Sequence, residues 1–178
     1  EEVNHDLHLT YRYCLSASNE FGLVKSCSLI SSSHASIPVT ICSGFQNLLP
    51  AEVPRSLQQA SSNLVDAYKL NEIDCSSALG VYSLYSGITD KPEPFEALRA
   101  TSVFSLGLES AIFLSSTDQL STFKRGFAIK PQLISRGVRG AYLAVADVDV
   151  LPGGQTEWAV IADTDLSQSG SALLRKTL

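Results

Sequence analysis

The sequence predicts a mainly β protein, an antiparallel two-sheet sandwich with one or two short helices. Segments in which apolar and polar residues alternate recur at short intervals, and this period of two is typical of strands with one buried face. Hydrophobic residues make up 44% of the chain and charged residues only 17%, a composition typical of sheet proteins with polar outer faces. Eight or nine short strands without a regular alternation of strand and helix favour two packed antiparallel sheets.

The first third of the chain contains the strongest strand patterns. Every second residue of the segment 7–17 is apolar, which predicts a strand with one buried face. Residues 23–30 and 37–45 follow as the second and third strands, separated by a Ser- and His-rich run at 31–36. Three successive strands predict an antiparallel meander.

Helices interrupt the strands at two places. Apolar residues recur at spacings of three and four after Pro54, which predicts a helix over residues 55–65. A shorter helix is predicted over residues 117–125, before Gly126. The other strands before the last third are predicted at residues 68–73, 79–86, 98–108 and 111–115, with a proline-rich break at 90–94.

The last third predicts a β-hairpin. Residues 142–150 and 157–163 both show strand patterns, and the Pro- and Gly-containing segment 151–155 lies between them. We therefore expect these two strands to pair directly with each other.

Length and charge limit the function classes. We expect one domain over residues 1–178, and we interpret it as a fragment of a larger protein because a strand pattern starts at once and the chain contains no Met. A net charge of −5 without a basic stripe argues against nucleic-acid binding. No apolar run is long enough to span a membrane and no signal peptide is visible, so we expect a cytoplasmic location.

The cysteines and histidines do not predict a metal or catalytic site. Four widely spaced cysteines form no Cys-x-x-Cys pair, so we expect free, buried thiols, although a disulfide stays open for an exported protein. We predict no cofactor and no catalytic residue, because no nucleophile motif accompanies the histidines and a mutarotase-type acid–base pair has only His34 to draw on. The residues concerned are Cys14, Cys27, Cys42, Cys75, His5, His8 and His34.

Four aspartates in the predicted hairpin form a candidate calcium site. Asp147 and Asp149 share one strand face, and Asp163 and Asp165 end the partner strand. If the hairpin brings them together, their carboxylates supply the oxygen ligands that calcium prefers. The alternative, which we favour, is a solvated acidic edge that discourages association between sheets.

The polar segment 44–74 contains the candidate sugar-binding or domain-interface residues. Amides and carboxylates near an aromatic ring are what a sugar site uses, whereas Asn and Asp also satisfy backbone groups around loops and helices. The candidates are Gln46, Asn47, Asn63, Asp66 and Tyr68. Two further residues, Arg136 and Arg139, are weighed as an anion site against ordinary surface arginines, and we favour the latter.

Four phrases resemble a known family. GFQNLLP, SNLVDAYKLNEID, ITDKPEPFEALRATSVFSLGL and GAYLAVADVDVLPGGQTEWAVIAD are similar, in order, to the N-terminal β-super-sandwich domain of proteins related to cellobiose and chitobiose phosphorylases. The resemblance implies a galactose-mutarotase-like fold that packs against a separate helical toroid, which carries the catalytic acid. It also implies a contribution to a sugar cleft and to homodimerisation, and it transfers no catalytic residue to this chain.

Three functions follow as hypotheses. The first is a non-catalytic domain that supports a glycoside phosphorylase or hydrolase, with an oligosaccharide or the helical toroid as its partner. The second is an autonomous carbohydrate-binding module, which is expected to use exposed aromatic rings. The third is a small stand-alone glycosidase or sugar-modifying enzyme in which Asp147 or Asp149 is active.

Overall fold

The mainly β class is confirmed. A computed structural model describes residues 1–86 and 99–178, with 52% of residues in strands and 16% in helices. The described residues form two antiparallel sheets, as predicted, and four short helices rather than one or two. The proline-rich break predicted at 90–94 lies outside the described residues.

Eight strands form the large sheet, in the spatial order β1-β2-β3-β11-β7-β6-β5-β9. All of its pairings are antiparallel. Its strands in that order are β1 (Glu2–Asn4), β2 (Leu9–Ser18), β3 (Gly22–Ser31), β11 (Gln155–Ser167), β7 (Arg99–Leu106), β6 (Leu79–Leu84), β5 (Lys69–Asp74) and β9 (Ile134–Arg136).

The small sheet has three strands and packs on one face of the large sheet. Its strands are β4 (Ile37–Leu48), β10 (Gly140–Val150) and β8 (Ile112–Leu114), with β10 in the middle. The helices are α1 (Arg55–Ala60), α2 (Ser62–Ala67), α3 (Leu120–Lys124) and α4 (Gln168–Thr177). The sequence patterns missed β1, β9 and α4, and they predicted α1 and α2 as a single helix.

The predicted hairpin at the end of the chain is wrong. The strands β10 and β11 lie in different sheets, and the segment between them is an arch that crosses the sandwich. A second arch joins β3 to β4, so the predicted meander is correct for β2 and β3 but not for its third strand. The two arches lie side by side, with the Gly153 amide donating to the Ser33 carbonyl at 3.2 Å and the Ser31 amide to the Gly154 carbonyl at 2.9 Å.

Burial explains why these strands separate. Residues 141–146 of β10 are buried on both faces, and both neighbours of β10 are strands of the small sheet. β11 is likewise a central strand, between β3 and β7. A local pattern of apolar residues is the same in a hairpin and in an arch, so only the sheet partners distinguish them.

Two buried tyrosines join the sheets. Tyr82 of the large sheet donates to the Ala141 carbonyl of the small sheet at 2.8 Å, and Tyr142 of the small sheet donates to the Ala78 carbonyl at 2.7 Å. Burial raises the pKa of both hydroxyl groups. Both tyrosines therefore remain neutral hydrogen-bond donors inside the core across the physiological pH range.

The inner face of the large sheet extends beyond the small sheet. Leu9 and Tyr11 of β2 pack into the core, but Tyr13 and Leu15 are 51% and 56% exposed and Leu23 of β3 is 40% exposed. These three side chains form what we call the uncovered face. The prediction of a continuous buried face over residues 7–17 is therefore correct only for Leu9 and Tyr11: Leu7 is 53% exposed in the turn before β2, and the small sheet ends at β4.

The helix α4 covers part of the opposite face of the large sheet. Its N-cap Ser167 accepts a hydrogen bond from the Gly170 amide, and Leu174 packs on the cluster formed around Phe104 and Ile161. Arg175 donates to the Asp74 carboxylate at 2.8 Å, which ties the end of the chain to the turn after β5.

We expect Asp74 to make the fold sensitive to acid. Hydrogen bonds from Ser77 and Ser76, with the contact to Arg175, lower the pKa of Asp74 from 3.8 to about 2. Because the folded-state pKa is the lower one, this stabilisation is complete above pH 3.8 and is lost as the pH falls towards about 2. Asp74→Asn should therefore destabilise the fold at neutral pH and approach the parent chain near pH 2 in urea unfolding.

Asp149→Asn is the matched control for this experiment, because Asp149 is an exposed aspartate whose carboxylate makes no hydrogen bond or ion pair with the described residues. A difference between Asp74→Asn and the parent chain that stays the same from neutral pH to about pH 2 would contradict this role of Asp74.

Candidate functional site

A polar cleft of about 610 Å³ opens where α1 and α2 meet the end of β4 and the start of β5. We call it the Lys69 cleft. Among the described residues, its lining combines cations, amides and a hydroxyl group with one apolar side chain. The lining residues are Asn47, Leu49, Arg55, Gln58, Gln59, Ser62, Lys69 and Arg139.

Lys69 forms the floor of the cleft and its side chain is 0% exposed. Its ammonium group donates to Gln58 Oε1 at 2.6 Å and to Asp66 Oδ1 at 2.7 Å. A buried charge is tolerated only where such partners compensate for its lost hydration. An ammonium group has three N–H donors, and these are the two hydrogen bonds that the Lys69 ammonium group makes to described residues.

Asp66 accepts the hydrogen bond from Lys69 and remains ionised at neutral pH. Partial burial acts to raise its pKa, but the hydrogen bonds from Lys69 and Gln58 and the nearby charge of Arg139 outweigh it and leave the pKa below its ordinary value. Its Oδ1 also accepts from Gln58 Nε2 at 3.1 Å, and Oδ2 lies 3.7 Å from Arg139 Nε. Asp66 is therefore an anchor for cations rather than a proton donor at neutral pH.

A helix break makes this arrangement possible. In a straight α-helix, residues eight positions apart are separated by about 12 Å along the axis, yet the side chains of Gln58 and Asp66 are hydrogen-bonded. The break falls at Ser61, whose φ of −137° and ψ of 46° are not helical. Ser61, Ser62 and Asn63 are weak helix formers, which accounts for the position of the break.

Asn47 enters the cleft from a β-bulge. Pairing with β10 shifts register between Leu48 and Gln46, so Asn47 is the extra residue, and its φ of 56° is left-handed. Asn tolerates this conformation better than most residues, and bulges re-aim side chains. Asn47 also borders an adjoining groove of about 670 Å³, which Gln46 lines as well.

The other two predicted sugar-contact residues lie outside the cleft lining. Asn63 is exposed on α2. Tyr68 stacks on Tyr85, with ring centroids 5.3 Å apart and an interplanar angle of 19°. Tyr85 is 63% exposed, so the pair presents an aromatic surface that the sequence patterns did not indicate.

Five charged or amide residues of the cleft lining were not among the predicted sugar contacts. Four of them lie within the polar segment 44–74, but charge and polarity alone do not show which side chains turn inward; they are Arg55, Gln58, Gln59 and Lys69. Arg139 was weighed as an anion contact, and a role as an ordinary surface residue was favoured. The pairing of Gly140 with Leu48 brings it next to the Asn47 bulge.

The four aspartates of the candidate calcium site are not brought together. Asp147 accepts a hydrogen bond from Thr40 in the small sheet, whereas Asp163 and Asp165 lie on β11 in the large sheet, where Asp165 pairs with Arg99 at 2.6 Å. Within residues 1–86 and 99–178, no three His, Cys, Asp or Glu side chains are grouped closely enough to hold a metal ion. The calcium hypothesis depended on the hairpin and is wrong for the same reason.

The histidines and cysteines show the same lack of clustering. His5, His8 and His34 are exposed, and none of them lines the Lys69 cleft. All four cysteines are free, as expected, but only Cys27 is buried. The expectation of burial is wrong for Cys14 and Cys75, which are both exposed. Cys14 lies in β2, next to the edge strand of the large sheet, and Cys75 lies in the turn after β5.

Comparisons with known proteins add no family assignment. No protein-family model matches the chain, and no curated protein matches it either. Among the described helices, none is long and apolar enough to cross a membrane. The class that the fold and cleft define is an antiparallel β-sandwich with a cationic, amide-lined cleft.

Proposed function

We propose that this chain is a non-catalytic sandwich domain that supports a carbohydrate-active enzyme of the glycoside phosphorylase or hydrolase type and lends a polar cleft to it. The observation that carries this proposal is the composition of the Lys69 cleft. It offers amide, hydroxyl and cationic donors suited to the oxygen atoms of a sugar, and no carboxylate is among its lining residues in the described part of the chain.

The chemistry of the cleft favours binding over bond cleavage. Glycoside hydrolysis commonly uses two carboxyl groups about 5 to 9 Å apart, one of which donates a proton. The nearest carboxylate, Asp66, is engaged by Lys69 and Gln58, and its pKa is lowered rather than raised. A group in that state is a poor general acid at neutral pH.

The uncovered face supports the part of the proposal that concerns another domain. Tyr13, Leu15 and Leu23 lie on the sheet side that elsewhere carries the core, and they extend it beyond β4 as a mainly apolar surface. Lys25, which is paired with Leu15, interrupts this surface and lies 5.9 Å from the centre of the Tyr13 ring. The proposed partner of the uncovered face is an apolar surface of a helical toroid in the same polypeptide, because the chain resembles sandwich domains that pack against such a toroid. Exposed apolar patches of this kind mark interaction sites.

Calorimetric titration of the chain with cello-oligosaccharides, combined with assays for hydrolysis and phosphorolysis, tests the proposed function. We expect no turnover, and no saturable binding of these neutral sugars by the chain alone, because in this proposal the Lys69 cleft is one part of a sugar cleft that the catalytic domain completes. Turnover would contradict the proposal.

Saturable binding without turnover would instead favour an autonomous carbohydrate-binding module. The Tyr68–Tyr85 pair is the observation that favours this second function, because exposed rings stack on sugar faces. Tyr85→Ala would then abolish binding, whereas Phe127→Ala, which removes a similarly exposed ring from another surface, would not.

A further inference from the structure

We infer that the free edge of β4 accepts an extended segment of the partner domain as a fourth strand of the small sheet, laid over the uncovered face. We call this site the strand slot. The inference rests on the proposed function, which it deepens by naming the form in which the partner reaches the uncovered face. The expected segment has apolar side chains at alternate positions and a carboxylate that meets Lys25.

The first argument is that β4 is the one long edge strand among the described residues. It has 12 residues and pairs with β10 on one side only, whereas the other edge strands, β1, β8 and β9, have three residues each. Sheet edges are commonly protected from pairing by short length, charge, proline or a bulge. No residue of β4 is charged, and its protection is confined to Pro38 and the Asn47 bulge, which leaves the segment 39–46 open.

The second argument is the direction of the unpaired backbone groups. The Ala141 amide donates to the Ser115 carbonyl at the end of β8, so alternate residues of β10 from Ala141 onwards face β8 and those between them face β4. The register of β4 with β10 then gives the β4 residues that face the free edge, which are Thr40, Cys42, Gly44 and Gln46. Their N–H and C=O groups make no hydrogen bond to described residues. An added strand would bond to all of them in a regular ladder.

The third argument is that the uncovered face supplies the floor of the slot. The space between this face and β4 is open, because Leu23 and Phe45 line the same groove of about 670 Å³. Lys25 lies on the same face beside Tyr13 and has no carboxylate partner among the described residues. Apolar side chains of an added strand would cover the exposed leucines, while an inward carboxylate would pair with Lys25.

A second copy of the chain does not fit the strand slot. A symmetric pairing of two β4 strands would bring the β2 and β3 strands of both copies into the same layer, because each large sheet projects beyond its own β4. A single extended segment occupies only the layer of the small sheet, about 10 Å above the large one. The occupant is therefore one strand and not a whole sandwich.

Synthetic peptides of about ten residues test the slot, with Val alternating with Thr and Glu replacing each Val in turn. We expect at least one peptide of this panel to bind with saturation in calorimetric titration. Binding should slow amide hydrogen exchange at the four β4 residues that face the free edge. The intervening amides of β4 should change less, because they already bond to β10.

Two N-methylated forms of the bound peptide are matched controls. Methyl groups on the Thr amides should abolish binding, because an added strand with its Val side chains inward directs its Thr amides towards β4. Methyl groups on the Val amides point away from β4 and should leave the affinity within about twofold of the parent peptide.

Variants of the chain locate the floor. Leu15→Glu is expected to weaken binding about tenfold, because it places a charge under the added strand and gives Lys25 a partner within the chain. Ser16→Glu, on the opposite face of β2, is the matched control. Lys25→Gln is expected to weaken the Glu peptide about threefold and to leave its Gln analogue unchanged. Urea unfolding of each variant checks that the fold is retained.

The outcomes separate this inference from the proposed function. Three results would overturn the strand slot and leave the supporting role intact: no binding by any peptide of the panel, equal binding of the two methylated peptides, or slowed exchange at the same amides through self-association of the chain alone. Turnover of cello-oligosaccharides would overturn the supporting role, whatever the peptides show.

Discussion

Replacing Asp66 with Ala is expected to lower the free energy of unfolding by about 3 kcal/mol. The change leaves the fully buried Lys69 ammonium group with Gln58 as its one partner among the described residues. The lower end of the range for broken buried ion pairs applies because the Asp66 side chain is itself partly exposed. Urea unfolding at neutral pH measures the loss.

A double replacement separates the charge from the packing. Asp66→Asn combined with Lys69→Met removes both charges and keeps similar volumes, so we expect it to be more stable than Asp66→Ala. Asp147→Ala is the surface control, because that exposed carboxylate bonds to Thr40 across the small sheet, and its loss should cost at most about 1 kcal/mol. Equal losses for Asp66→Ala and Asp147→Ala would contradict the importance of the buried pair.

Gly44→Ala is expected to cost about 3 kcal/mol, because it forces two paired strands apart. A Cβ at Gly44 would overlap the Tyr142 carbonyl oxygen and lie 2.8 Å from the carbonyl carbon and 3.0 Å from Leu143 Cα. These are backbone atoms of the central strand β10, which cannot move aside as a flexible side chain can. Thermal and urea unfolding should both show the loss.

Gly126→Ala provides the matched control. Nothing lies within 4 Å of a Cβ at this position, but its φ of 75° is left-handed, so the expected cost is the backbone strain of about 1 kcal/mol. If the two alanine variants lose the same stability, the close approach of β4 to β10 is not what requires glycine at position 44.

The candidate site shows where local patterns stop being informative. Asn47 and Asp66 were singled out because amides and carboxylates are unusual between apolar residues, and both contribute to the cleft or its support. Lys69 was missed because its burial depends on α1 and α2 folding back over β5. Arg139 was weighed as an anion site, but its contact with Asp66 was not predicted, because it requires the pairing of β10 with β4.

The amino-acid sequence by itself determined the mainly β class and the approximate positions of most longer strands, since alternation of apolar residues is a property of neighbouring positions. Only the tertiary structure decided which sheet each strand joins, where the inner face stays uncovered and which charges meet at Lys69. The physical reason is that an arch and a hairpin have the same local pattern and differ only in distant partners. The sequence predicts which faces need burial, whereas the assembled sheets decide what covers them.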